Sequence, residues 1–188
     1  MPHRLHGIFV LLLLVLLCAG GCSIRSHGNS GRMTVLKSGG VSGAGTRGMY
    51  VAMPQDFTGE NGSGKRMQNV LMDILKDGPG RKVAAPAYLP QPQRLEAAKS
   101  AQCGLLLTVD ILDWQDPPAA FQYKPDRGVI EVSVYDTESG DLLRKDALEC
   151  SSGATTVNLI GFHDPGDCLT PALKKWRDAL GADNSAGK

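Results

Sequence analysis

Leu105-Leu106-Leu107-Thr108-Val109-Asp110-Ile111-Leu112 is the stretch that sets the fold class. A run this apolar, carrying β-branched residues and no helical spacing, reads as a strand. Its near-continuous apolar character, without alternation, marks a central strand covered on both faces. A loop with Pro117, Pro118 and Pro125 follows it, so the chain must turn before any further regular element.

Working towards the amino terminus, Pro92 suits the first turn of a helix that runs to about Gln102, with Leu95 and Ala98 facing inward. Lys82 to Ala85 reads as a short strand. Before it, Met67, Val70, Leu71, Ile74 and Leu75 have the spacing of a helix with one buried face, ended by Gly78 and Pro79. Met49 to Met53 is another short strand, stopped by Pro54. Downstream, Ile130, Val132 and Val134 alternate with Glu131 and Ser133, which predicts a strand with one wet face over Val129 to Tyr135. Asp136 to Asp141, with Gly140, forms a hairpin connection into Leu142 to Cys150. Ala154 to Ile160 is a candidate edge strand. Leu169, Leu173, Trp176 and Leu180 mark a closing amphipathic helix, with Pro171 near its start and Gly181 after it. This order predicts an α/β fold: a mixed sheet with partly parallel first strands, an antiparallel hairpin and about three packed helices.

The amino terminus carries a different signal. Arg4, an apolar run from Ile8 to Leu17 and the small residues Ala19-Gly20-Gly21 precede Cys22, the order of a secretory signal. The run is well below the roughly 20 residues that span a bilayer as a helix. Small residues followed at once by cysteine resemble the bacterial lipoprotein signal, in which Cys22 takes the lipid and becomes the first residue. Ala19 stands where Leu is usual. Cys18 is a poorer candidate because Leu17 precedes it, and an ordinary cleaved signal with a chance cysteine is the competing reading. Residues 1–21 are thus read as a lipoprotein signal peptide. Residues 22–48, with seven glycines from Gly28 to Gly48, are read as anchor and flexible tether. Residues 49–181 are expected to form one α/β domain and 182–188 a disordered tail.

The chain has 20 Lys and Arg against 19 Asp and Glu, a net charge of +1. That balance gives no electrostatic footprint for nucleic acid. Membrane attachment needs no basic patch, since acyl chains contribute about 0.8 kcal/mol per buried methylene. Of five cysteines, Cys18 leaves with the signal and Cys22 is acylated. An exported compartment permits a disulfide among Cys103, Cys150 and Cys168. Cys150 ends a strand and Cys168 begins a helix, with Gly153, Gly161, Pro165 and Gly166 between them, so this pair is the expected bridge and Cys103 the buried thiol. No Cys-x-x-Cys pair supports zinc.

Several motifs invite a reaction. Gly59-Glu60-Asn61-Gly62-Ser63-Gly64-Lys65 matches the start of a phosphate-binding P-loop between a strand and a helix. Arg66 stands where the magnesium-binding hydroxyl should be, and a solvated loop with Ser63 or Asn61 as helix cap explains the same letters. Gly43-Ala44-Gly45-Thr46-Arg47-Gly48 precedes a strand, not a helix, so it lacks the geometry for pyrophosphate. His163, Asp164, Asp167 and Cys168 have metal-ligating side chains, but Asp164 or Asp167 is more simply a helix cap. No G-x-S-x-G elbow appears. Trp114, Phe121, Tyr123 and Arg127 join aromatics to a cation in the loop after the central strand, and such residues are favoured in recognition. The alternative is that Trp114 and Phe121 close the core while Arg127 pairs locally.

The chain resembles a family of small bacterial envelope lipoproteins known only as a domain of unknown function. The resemblance runs from about Gly48 to Leu180. It rests on Tyr50-Val51-Ala52-Met53-Pro54, Gly62-Ser63-Gly64, Leu112-Asp113-Trp114-Gln115-Asp116, Pro125-Asp126-Arg127, Val134 to Gly140, and His163-Asp164-Pro165. The strand–helix order is also similar to the amino-terminal domain of TolB, which implies a binding or assembly module. The resemblance supplies no reaction and no catalytic residue.

These readings combine into a lipid-anchored, non-catalytic module facing the periplasm, on the outer membrane because Ser23 and not Asp follows Cys22. Its expected contacts are the membrane, through acylated Cys22, and an envelope protein partner, without cofactor, metal or nucleic acid. The alternative is a nucleotide-binding protein or enzyme using the loop at 59–65.

Overall fold

A computed structural model describes residues 30–39, 41, 46–116, 126–151 and 164–182. The chain forms β1 (Ser30–Lys37), β2 (Met49–Val51), α1 (Ser63–Leu75), β3 (Lys82–Ala84), α2 (Gln91–Ser100), β4 (Leu105–Gln115), β5 (Arg127–Asp136), β6 (Leu142–Ser151) and α3 (Pro165–Ala182). The strands make one sheet in the order β1-β6-β5-β4-β2-β3. β2 pairs in parallel with both β3 and β4, and the remaining pairs are antiparallel. This is the mixed α/β sheet with three helices that the sequence predicts.

The apolar run around Leu105 is central and covered on both faces over its first half. Leu105, Leu107 and Val109 face α1 and α3, where they join Met67, Leu71, Ile74, Leu169, Leu173 and Trp176. Leu106 points the other way into a smaller cluster with Tyr50, Ala52, Ala98 and Cys103 under α2. Complete burial of each such large side chain stabilises by about 1.5–3 kcal/mol. Beyond Val109 the second face opens: Asp110 is exposed, and Leu112, at a register shift, is 51 % exposed.

The reading of 22–48 as a flexible tether is corrected. β1 lies inside it, paired with β6 from Ser30↔Ser151 to Lys37↔Lys145, and Val41 is fully buried. The glycine content misleads because Gly31 is a packing residue: a Cβ there would sit 2.9 Å from the Ala172 nitrogen, so only glycine lets α3 come this close to β1. The domain therefore starts by Ser30, not Met49. The expected edge strand at 154–160 lies outside the described residues; of the expected tail at 182–188, Ala182 instead ends α3 and the rest lies outside them, and β1 occupies the place beside β6.

Candidate functional site

The loops at the carboxyl end of β4 gather most of the residues singled out by sequence. α1 enters from the loop at 59–65. Asp56 Oδ2 accepts from the Gly62 N–H at 2.9 Å and Oδ1 from the Gly64 N–H at 2.8 Å. These two bonds hold the Asp56 carboxyl below its usual range. Asp56, not Ser63 or Asn61, is thus the cap of α1. Ser63 Oγ instead accepts from the Phe57 N–H at 2.8 Å. Gly64 is required by contact, since a Cβ would lie 2.3 Å from the Pro54 carbonyl oxygen.

This geometry bears directly on the phosphate-loop alternative. A phosphate at a helix start is held by free backbone N–H groups and the dipole. Here the chain's own carboxylate takes two of those donors. Lys65 Nζ, the other expected phosphate contact, donates to Gln68 Oε1 at 3.1 Å. Gln68 is itself fully buried, and its Nε2 donates to the carbonyls of Ala85 at 2.9 Å and Val51 at 3.2 Å. One amide therefore ties α1 to the ends of β2 and β3, in the crevice where open α/β sheets usually take ligands.

Trp114 is corrected from a recognition residue to a core residue. It is 2 % exposed, it belongs to β4, and its ring packs towards Gly166 at the start of α3. Arg66 lies over the ring with its guanidinium carbon 5.5 Å from the centroid. Arg66 also reaches Asp116 at 3.2 Å and Glu60 at 3.8 Å. Arg127 is half-exposed but engaged, 3.3 Å from Glu149 and 3.5 Å from Asp113. The competing reading, in which Trp114 closes the core and Arg127 pairs locally, describes both. Phe121 and Tyr123 lie outside the described residues.

Cys150 at the end of β6 and Cys168 in the first turn of α3 are disulfide-bonded, with Cα atoms 5.7 Å apart. Cys103 is a buried free thiol, its pKa pushed up by burial. Asp164 Oδ1 accepts from the Asp167 N–H at 3.1 Å and caps α3. Among the described residues no three His, Cys, Asp or Glu side chains are placed to hold a metal ion. His163 and Cys22 lie outside them. No described helix is long and apolar enough to cross a membrane.

Sequence reasoning missed one surface. β1 is an edge strand, and Val35 and Leu36 on it are 47 % and 51 % exposed. The available signal was the short β-prone run Met33-Thr34-Val35-Leu36, three of its four residues apolar, set among glycines and serines.

No family model matches the sequence, and no curated protein matches it. Solved structures do match in fold. The PelC dodecamer from Paraburkholderia phytofirmans superposes with a TM-score of 0.62 at 16% identity, over 81% of this chain and 96% of that one. The DUF330 protein XCC0632 from Xanthomonas campestris gives 0.48 at 11% identity, over 81% and 96%. TolB from Acinetobacter baumannii, whose amino-terminal domain the sequence resembles, gives 0.41 at 11% identity, over 84% and 32%. The likeness to PelC establishes a shared fold across nearly the whole length of that chain.

Proposed function

We propose that this protein is a lipid-anchored assembly module of the bacterial envelope, held by acylated Cys22 on the outer membrane and facing the periplasm. The observation that carries the reading is the amino-terminal order of Arg4, the Ile8–Leu17 run and Ala19-Gly20-Gly21-Cys22. Ser23 after the cysteine supports the outer membrane. Two structural features favour assembly over catalysis. The ligand crevice of the sheet is closed by Gln68, and the helix start at Gly62 is closed by Asp56. The fold is shared with PelC, which forms a dodecamer, and this likeness supports counting further copies of the chain among the proposed partners.

Labelled fatty acid tests the anchor. The wild-type chain should incorporate the label and fractionate with outer membranes, whereas Cys22→Ser should accumulate as an unlabelled precursor. Incorporation that survives Cys22→Ser overturns the reading. Crosslinking in cells, followed by identification of the trapped species, tests assembly and separates self-association from a heterologous partner.

A further inference from the structure

We infer that the anchored domain stands on the membrane with the Ser30 end of its sheet against the lipid headgroups and the 136–141 turn pointing away. The inference rests on Cys22 being the anchor and adds a binding surface to that reading. It comes from chain length and strand register. Ser30, the first residue of β1, lies only eight residues after Cys22. Fully extended, eight residues span at most about 28 Å, and as a coil they average roughly 16 Å.

Register fixes which end of the sheet this short span reaches. Ser30 pairs with Ser151, Ser151 with Arg127, and Arg127 with Gln115. Four strands therefore share the end at which the anchor arrives. Asp116 and Arg66 sit there with Glu60, beside the start of α3. The opposite end holds the turn between Asp136 and Asp141. β5 has ten residues, so this turn lies roughly 33 Å further along the strands. Bringing it to the headgroups would demand a span stretched to its limit alongside the sheet.

The chemistry of the anchored end decides what kind of lipid surface it fits. Among the described residues there, Arg66 is engaged with Asp116 and Glu60 and Arg127 with Asp113 and Glu149, while Arg32 on β1 is exposed. The short span alone brings this end to a headgroup layer, so the contact is one of proximity and does not depend on anionic lipid. Val35 and Leu36 lie towards the other end of β1, and a domain lying on that edge is the rival arrangement.

The test uses the processed, lipidated chain in a Cys103→Ala background, reconstituted into phosphatidylcholine vesicles that carry a headgroup nitroxide quencher. A fluorophore is attached at Gln115→Cys or at Glu138→Cys, both exposed positions. Quenching at 115 should exceed that at 138 several-fold, with no dependence on salt or added anionic lipid. Inserting a long Gly/Ser segment after Asn29 should bring the ratio towards one. Equal quenching, or stronger quenching at 138, in protein that floats with the vesicles overturns the inference, as does a ratio unchanged by the insertion. Protein that fails to float refutes the anchor instead.

Discussion

The Trp176 indole Nε1 donates to Asp146 Oδ2 at 2.9 Å, and the same carboxylate accepts from Arg144 Nε at 2.7 Å. All three side chains are buried between β6 and α3. A charge pair in such a place survives only when its remaining lone pairs and protons are satisfied, and Trp176 helps to satisfy this one. Removing the carboxylate leaves a buried guanidinium and an indole donor without it. Asp146→Ala should therefore cost about 3–5 kcal/mol, and Trp176→Phe less, about 1–3 kcal/mol for the bond left unmade. Urea unfolding of the two variants checks the order as well as the size.

Acid should weaken the fold partly through Asp136. Its carboxyl is held below the usual range, first by the Arg47 guanidinium at 2.5 Å and then by the Ser139 and Glu138 N–H groups. A depressed carboxyl adds stability that is complete above its unfolded pKa of about 3.9 and disappears as pH falls through the lower folded value. Melting temperatures of wild type and Asp136→Asn should accordingly differ at pH 6, and the difference should shrink as pH falls below about 3.9. A constant difference across that range would exclude the linkage.

Loss of the α1 cap should be felt as helix stability. Asp56→Ala frees the Gly62 and Gly64 N–H groups and should cost about 1 kcal/mol. Lys65→Ala removes one part-buried bond to Gln68 Oε1 and should cost about 1 kcal/mol or less. Saturable ATP binding that Lys65→Ala abolishes would revive the phosphate-loop alternative.

Trp114 and Arg127 should respond in opposite ways. Trp114→Ala empties a buried site and should destabilise by about 3–5 kcal/mol. Arg127→Ala breaks half-exposed ion pairs and should stay within about 1 kcal/mol of wild type. Thermal melts separate the two.

The Cys150–Cys168 link closes a loop of 18 residues and should stabilise by roughly 3 kcal/mol in the chain-entropy model. Cys150→Ser combined with Cys168→Ser measures it. Mass mapping of the non-reduced protein should find Cys103 unlinked; a peptide joining Cys103 to either partner would overturn the assignment.

What the sequence made legible was whatever repeated. The Leu105 run, the Ile130–Val134 alternation and the Met67–Leu75 spacing each place several residues on one face, so β4, β5 and α1 could be read directly. β1 could not, because an edge strand buries little and Gly31 resembles linker while serving contact with Ala172. The Asp56 cap was hidden for another reason. It stands six residues before Gly62 and reaches it only because the intervening loop folds back, a relation that no local spacing encodes. Trp114 stayed open between two readings because an indole beside charges looks the same in a sequence whether it faces solvent or lies beneath Arg66.

The sheet order has a kinetic consequence. β1 is the first described strand in the chain yet pairs only with β6, more than a hundred residues later. The first described strand therefore waits without its partner until residue 151 is available. Such long-range pairing closes slowly, because the loop entropy must be overcome before the contact forms. The seam between β1 and β6 is thus the last of the described pairings to close, and an anchor at Cys22, as proposed, would be in place before it.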